Sequence, residues 1–137
     1  MKVVAYSIKP FEKGWLAKAN NKKHDITLIS NALSIHTAFY AEGKDAVIVF
    51  TNDDLSEKVI NMLAAYGIKY ITTRFTGTDQ IDKKAAAKKG IQLAHVSAYS
   101  FQDIVKNSFM VNDAFITNDT LRHIAAETIG NLDKWQR

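Results

Sequence analysis

The stretch DDLSEKVINMLAAYGIKYITTRFTGTDQIDKKAAAKKGIQLAHV, residues 53–96, decides the fold. Its acidic start precedes Val59, Ile60, Leu63 and Ala64 at helical spacing, and Gly67 stands where such a helix stops. KYITTR, residues 69–74, is β-branched and aromatic, as strands are. Asp82 can cap KKAAAKK, which Gly90 closes, and IQLAHV, residues 91–96, reads as a second strand. Helix and strand alternating at this interval build parallel βαβ units with right-handed crossovers.

The same rhythm runs upstream. KVVAYSI (2–8), DITLIS (25–30) and AVIVF (46–50) are nearly continuous apolar runs, which suit strands covered on both faces. Pro10 can open a helix carrying Phe11, Trp15, Leu16 and Ala19. Ser34 can cap a short helix with Ile35, Ala38 and Phe39 before Gly43. The predicted class is α/β: a five-stranded parallel sheet with helices on both faces. After Ser100 the rhythm breaks. FQDIVKN offers barely two turns and SFMVNDAFIT has no clear period. Thr117 then caps a last helix whose stripe is Leu121, Ile124, Ala125, Thr128, Ile129, Leu132 and Trp135. That stripe must be buried against the sheet or against another chain.

At 137 residues the expectation is one domain, 1–137. Cysteine is absent, which excludes disulfides, thiolate nucleophiles and cysteine-bound metals. The apolar run after Met1 is too short to span a membrane and carries no cleavage pattern, so a cytoplasmic protein without membrane contact is expected. A net charge of +4 is spread over lysine pairs beside acidic or small residues, with arginine only at 74, 122 and 137. No aromatic residues interleave with a basic run, and no nucleic-acid partner is expected.

In open parallel sheets ligands bind beyond the carboxyl ends of the strands. The six glycines, at 14, 43, 67, 77, 90 and 130, form neither a dinucleotide fingerprint nor a P-loop. A phosphorylation receiver would use an aspartate after the third strand, where Asp53 and Asp54 stand. It also needs an acidic pair after the first strand and a lysine after the fifth, and neither is present. Both aspartates read instead as helix-start carboxylates. His24 and His36 fall on surface turns or a short helix, His95 in a strand, and His123 one turn from Glu127. None has metal-ligand spacing, and no metal is expected. In RFTGTDQID, Gly77 between Thr76 and Thr78 can bring backbone amides to a small carboxylate.

With this loop in view, residues 59–100, VINMLAAYGIKYITTRFTGTDQIDKKAAAKKGIQLAHVSAYS, resemble the substrate-binding domain of D-isomer-specific 2-hydroxyacid dehydrogenases, particularly D-lactate dehydrogenases. The likeness extends over residues 1–100. It implies a flavodoxin-like three-layer domain with sheet order 2-1-3-4-5. In that family the chain next enters an inserted Rossmann domain that binds NAD, then returns to a closing helix. DAFITNDTLRHIAAETIGNLDKW, residues 113–135, resembles that return, with Ala114-Phe115 as the family's alanine-phenylalanine pair. Residues 101–137 therefore read as a seam followed by the returning segment, with the NAD domain deleted.

The resemblance implies a substrate-binding remnant of Phe50, Thr76, Gly77, Tyr99 and Phe115. The family's catalytic histidine falls at Asn112, which cannot serve as the proton donor to a 2-oxo acid, and its following glutamine at Asp113. No catalytic residue and no cofactor are thus expected on this chain, although the family uses NAD. Phe101, Phe109 and Met110 read as new apolar cover over a formerly interdomain surface. The expectation is an engineered or reconstructed monomeric domain that folds alone and is not an enzyme. Alternatives are a weak binder of small 2-oxo or 2-hydroxy carboxylates, or a fragment active only with an NAD domain in trans.

Overall fold

The computed structural model of the chain describes residues 1–50, 53–74, 81–96 and 118–136. Its elements are β1 (Lys2–Ala5), α1 (Pro10–Asn20), β2 (Asp25–Leu28), a 3-10 helix (Ala38–Ala41), β3 (Ala46–Val49), α2 (Glu57–Ala65), β4 (Tyr70–Thr73), α3 (Lys83–Lys88), β5 (Gln92–Ala94) and α4 (Asn118–Gln136). The strands form one parallel sheet in the order β2-β1-β3-β4-β5. This is the architecture and the strand order expected. Val3 pairs with Ile26 on one side and Ala46 on the other, and Ile71 lies between Val47 and Leu93.

Alternation along each strand sorts the apolar residues onto two faces. Val4, Val47 and Ile71 pack with Val59, Ile60 and Leu63 of α2 and with Ala85 and Ala86 of α3. Val3, Ala5 and Ile48 pack with Leu16 of α1 and with Ala125, Ile129 and Leu132 of α4. Each fully buried Ile or Leu adds about 1.5–3 kcal/mol. α4 buries Leu121, Ile124, Ala125, Thr128, Ile129 and Leu132, while Trp135 stacks on Tyr70 at 4.8 Å between centroids. The stripe therefore closes on this chain's own sheet. The Thr128 hydroxyl donates to Ile124 O at 2.7 Å, so its burial leaves no polar group unmet. Gly67 (φ +101°) ends the α2 turn, and Gly90 (φ +72°) ends the α3 turn, in conformations where a Cβ is strained.

Several local expectations need correction. Each strand is shorter than its apolar run, and β1 stops at Ala5 because Ser7 turns left-handed (φ +57°). Only the inner strands are covered on both faces. The edge strands β2 and β5 keep exposed positions, because each has a neighbour on one side alone. The helix expected from Ser34 is a 3-10 helix at Ala38–Ala41, since Ser34 Oγ accepts from His36 N and Ser34 O from Thr37 N in a local turn. Ile35 and Phe39 consequently lie outside the core, Phe39 with 53% exposure. On α1, Phe11, Trp15 and Ala19 are only half-buried, and Glu12 and Asn20 share the buried face with Leu16. Thr117, Phe101, Phe109 and Met110 lie outside the described residues, as does the seam itself.

Candidate functional site at the carboxyl edge

Two buried charged residues organise the carboxyl ends of β1, β3 and β4. The first is Asp53, in the turn between β3 and α2. Its Oδ1 accepts from Ser7 Oγ at 2.6 Å and from Leu33 N at 2.8 Å, and its Oδ2 accepts from Phe50 N at 2.7 Å. One carboxylate thus binds three loops, those after β1, β2 and β3. Asp54 N donates in turn to Leu33 O at 2.9 Å. Tyr6 secures the same region, its hydroxyl donating to Thr37 O at 2.8 Å. Burial, then the Asp53 charge and the neighbouring Tyr40 and Tyr66, push that hydroxyl's pKa well above the usual range, so it remains a donor.

The second is Arg74, directly after β4 and fully buried. Its Nη1 donates to Tyr6 O and its Nη2 to Ser7 O, each at 2.8 Å. Nη2 also reaches Glu12 Oε1 at 3.3 Å, and Nε lies 2.5 Å from Glu12 Oε2 as an ion-pair contact without aligned hydrogen-bond geometry. The guanidinium carbon stands 5.2 Å from the centroid of the Phe50 ring. Glu12 Oε1 accepts from Lys9 N at 2.9 Å as well, so it also ties down the first turn of α1.

Of the residues expected to line a ligand cleft, the structure describes Phe50. It is half-buried immediately after β3, its backbone on Asp53 and its ring beside Arg74. Thr76, Gly77, Tyr99 and Phe115, and Asn112 with Asp113, lie outside the described residues. Asp53 is not a helix-start carboxylate, because α2 begins at Glu57 and Asp53 is buried four residues earlier. Asp54 instead accepts from Ser56 N at 2.9 Å.

Ser7, Glu12 and Arg74 went unread in the sequence, yet one signal was present. Glu12 stands four residues before Leu16 and eight before Asn20, on the buried stripe of α1. A carboxylate in that register needs a buried cation, and Arg74 ends the KYITTR run.

The opposite edge of the sheet holds a separate polar cluster. His24, expected on a surface turn, is buried just before β2, because the Asn20 side chain brackets its backbone. Its Nε2 lies 2.8 Å from Asp133 Oδ1 of α4, and Lys23 Nζ lies 2.8 Å from Asp133 Oδ2. These residues and Gln136 line an open cleft of about 320 Å³. Burial tends to raise the Asp133 carboxyl, but the hydrogen bonds and charges of Lys23 and His24 outweigh it and hold the carboxyl below its ordinary 3.8. A depressed folded value means stability that is complete above the unfolded value and lost as pH falls through the folded one. Asp133→Asn is therefore expected to lower stability by about 1 kcal/mol at pH 7, with a smaller deficit at pH 2. Urea denaturation at both pH values checks this, and an equal deficit at each would exclude the electrostatic account. Among the described residues no His, Asp or Glu cluster could hold a metal ion, and no helix is long and apolar enough to cross a membrane.

Residues 2–137 match the family described as D-isomer specific 2-hydroxyacid dehydrogenase, catalytic domain. The chain belongs to this family. It is 39% identical over 101 residues to a 2-hydroxyacid dehydrogenase homolog of Schizosaccharomyces pombe, covering 73% of this chain and 30% of that protein. The apo-structure of D-lactate dehydrogenase from Escherichia coli superposes with a TM-score of 0.72 at 32% identity, over 80% of this chain and 35% of that one. D-lactate dehydrogenase with NAD+ from Lactobacillus jensenii gives a TM-score of 0.65 at 28% identity, over 98% of this chain and 40% of that one. The chain spans about a third of the length of the curated relatives it matches.

NAD, which this family implies, does not fit the turn after β1. A dinucleotide needs glycine there so that backbone amides can approach its pyrophosphate. Here Tyr6, Ser7, Ile8 and Lys9 occupy the turn, its Tyr6 and Ser7 carbonyls are capped by Arg74, and the Ser7 hydroxyl is spent on Asp53.

Proposed function

We propose that this chain is a self-folding substrate domain of the 2-hydroxyacid dehydrogenase type, without catalysis of its own, that retains half of a cleft for small 2-oxo or 2-hydroxy carboxylates. The observation that carries the reading is the closure of α4 over the sheet. Its stripe completes the second core against Val3, Ala5 and Ile48, so a whole domain is built within a third of the relatives' length. The L. jensenii alignment supports this, because nearly all of this chain is used while most of that protein is not. Asn112 at the family's histidine position supports the loss of turnover, since an amide N–H is far too weak an acid to protonate a 2-oxo group. The NAD domain is then absent by deletion at the seam, the product of engineering or reconstruction. The domain works as a monomer in cytoplasm-like reducing conditions, and nucleic acid and membranes are not its partners.

A proton–nitrogen correlation spectrum recorded with pyruvate, and then with NADH, tests this. Pyruvate is expected to shift the amides of Phe50, Thr76, Gly77 and Tyr99 with millimolar affinity, about 4 kcal/mol. NADH is expected to shift none, and no NADH oxidation should follow. Gly77→Val should abolish the pyruvate shifts. Turnover on adding a separate NAD domain would replace this reading with that of a fragment active in trans.

A further inference from the structure

We infer that Arg74 is a positioning residue of the carboxyl-edge cleft: it holds the Phe50 ring and the Ser7 turn in place, and is not the cation that receives a ligand's carboxylate. The inference rests on the carboxylate-binding reading above. An arginine at the mouth of such a cleft would ordinarily be taken as the anion receptor, because its fork matches a carboxylate. Here the fork is already occupied. Nη1 and Nη2 are on the Tyr6 and Ser7 carbonyls, Nη2 and Nε are on Glu12, and the side chain has no exposed surface. No donor of Arg74 is left facing solvent.

What Arg74 can still offer is its charge over the Phe50 ring, the guanidinium carbon standing 5.2 Å from the ring centroid. Phe50 is then held twice: its amide by the Asp53 carboxylate and its ring by the Arg74 guanidinium. Ser7 is held by the same two groups, its hydroxyl by Asp53 and its carbonyl by Arg74. The two buried charges thus place the same pair of residues, one just after β1 and one just after the adjacent β3, beside the end of β4. Glu12 keeps the guanidinium oriented, and α4 covers the ion pair, since Leu121, Ile124 and Ala125 share a small cavity with Glu12 and Arg74. Lysine cannot substitute. A single ammonium reaches neither two carbonyls and a carboxylate together nor a ring with a planar face.

The test uses Arg74→Lys, Phe50→Leu and the double variant, each first checked for a dispersed spectrum and a cooperative melt. Two quantities are read: the Phe50 ring proton shifts in the free protein, and pyruvate affinity from amide shifts. In Arg74→Lys the ring signals are expected to move and broaden, and pyruvate affinity to fall at least fivefold. Phe50→Leu should weaken binding similarly, and the double variant no more than the worse single one. Losses that multiply, or ring signals that stay unchanged in Arg74→Lys, overturn the inference. If Arg74→Lys does not fold, Glu12→Gln frees the guanidinium while keeping volume, and the same movement of the ring signals is expected. If the parent shows no pyruvate shifts, the binding reading fails by itself, and the ring signals alone uphold or overturn the placement of Phe50 by Arg74.

Discussion

Arg74→Ala is expected to lower the free energy of unfolding by about 3–5 kcal/mol, seen as a fall in the urea midpoint at constant slope. The loss does not measure the net worth of the ion pair. Taking two charges out of water costs several kcal/mol each, and their attraction roughly offsets this. Removing one partner leaves Glu12 buried and unpaired, and strips the Tyr6 and Ser7 carbonyls of their donors. Replacing both partners should therefore be milder than replacing one. Arg74→Met combined with Glu12→Leu is expected to recover only part of the stability, because two apolar side chains leave no charge behind but still take from the Tyr6 and Ser7 carbonyls and from Lys9 N their side-chain partners. A single-variant loss under about 1 kcal/mol would mean that water reaches Glu12, contrary to its 5% exposure.

Asp53→Ala is expected to cost about 3 kcal/mol and to loosen the loops after β1, β2 and β3 together. Hydrogen bonds to a charged acceptor contribute roughly 1.5–3 kcal/mol each, and they are not additive. Ser7 Oγ, Leu33 N and Phe50 N all lose this acceptor, two of the three bonds being buried. Asp53→Asn separates charge from geometry. Its one remaining carbonyl oxygen can still accept from Ser7 and Leu33, while its amide meets Phe50 N donor to donor. The expected loss is roughly half that of the alanine variant, with amide exchange accelerated at Phe50 and preserved at Leu33. Equal acceleration at both would show that the amide flips between the two arrangements.

The parallel sheet was legible because its evidence is local and repeated. Val, Ile and Thr runs separated by helical stripes admit one kind of connection, and the closing glycines at 67 and 90 mark helix ends that the structure places there. The stripe of α4 was legible for the same reason. The 3-10 helix was misread because Ile35 and Phe39 have helical spacing, while the Ser34 turn that overrides it is a matter of side-chain hydrogen bonding. His24 was misread because nothing within a few residues of it reports Asp133, which lies over a hundred positions away.

The candidate site divides along the same line. The parallel α/β class and the end of the third strand before Phe50 are carried by apolar periodicity and loop motifs, which are properties of neighbours along the chain, whereas the strand order came from the family resemblance of residues 1–100. Which charges are buried, and against what, was decided only when β1, β3 and β4 were laid side by side. Glu12 and Arg74 are separated by 62 residues, and Ser7 and Asp53 by 46. Pairing at such distances follows from the register of the sheet and from the cover of α4, which exclude the water that would otherwise satisfy each group separately.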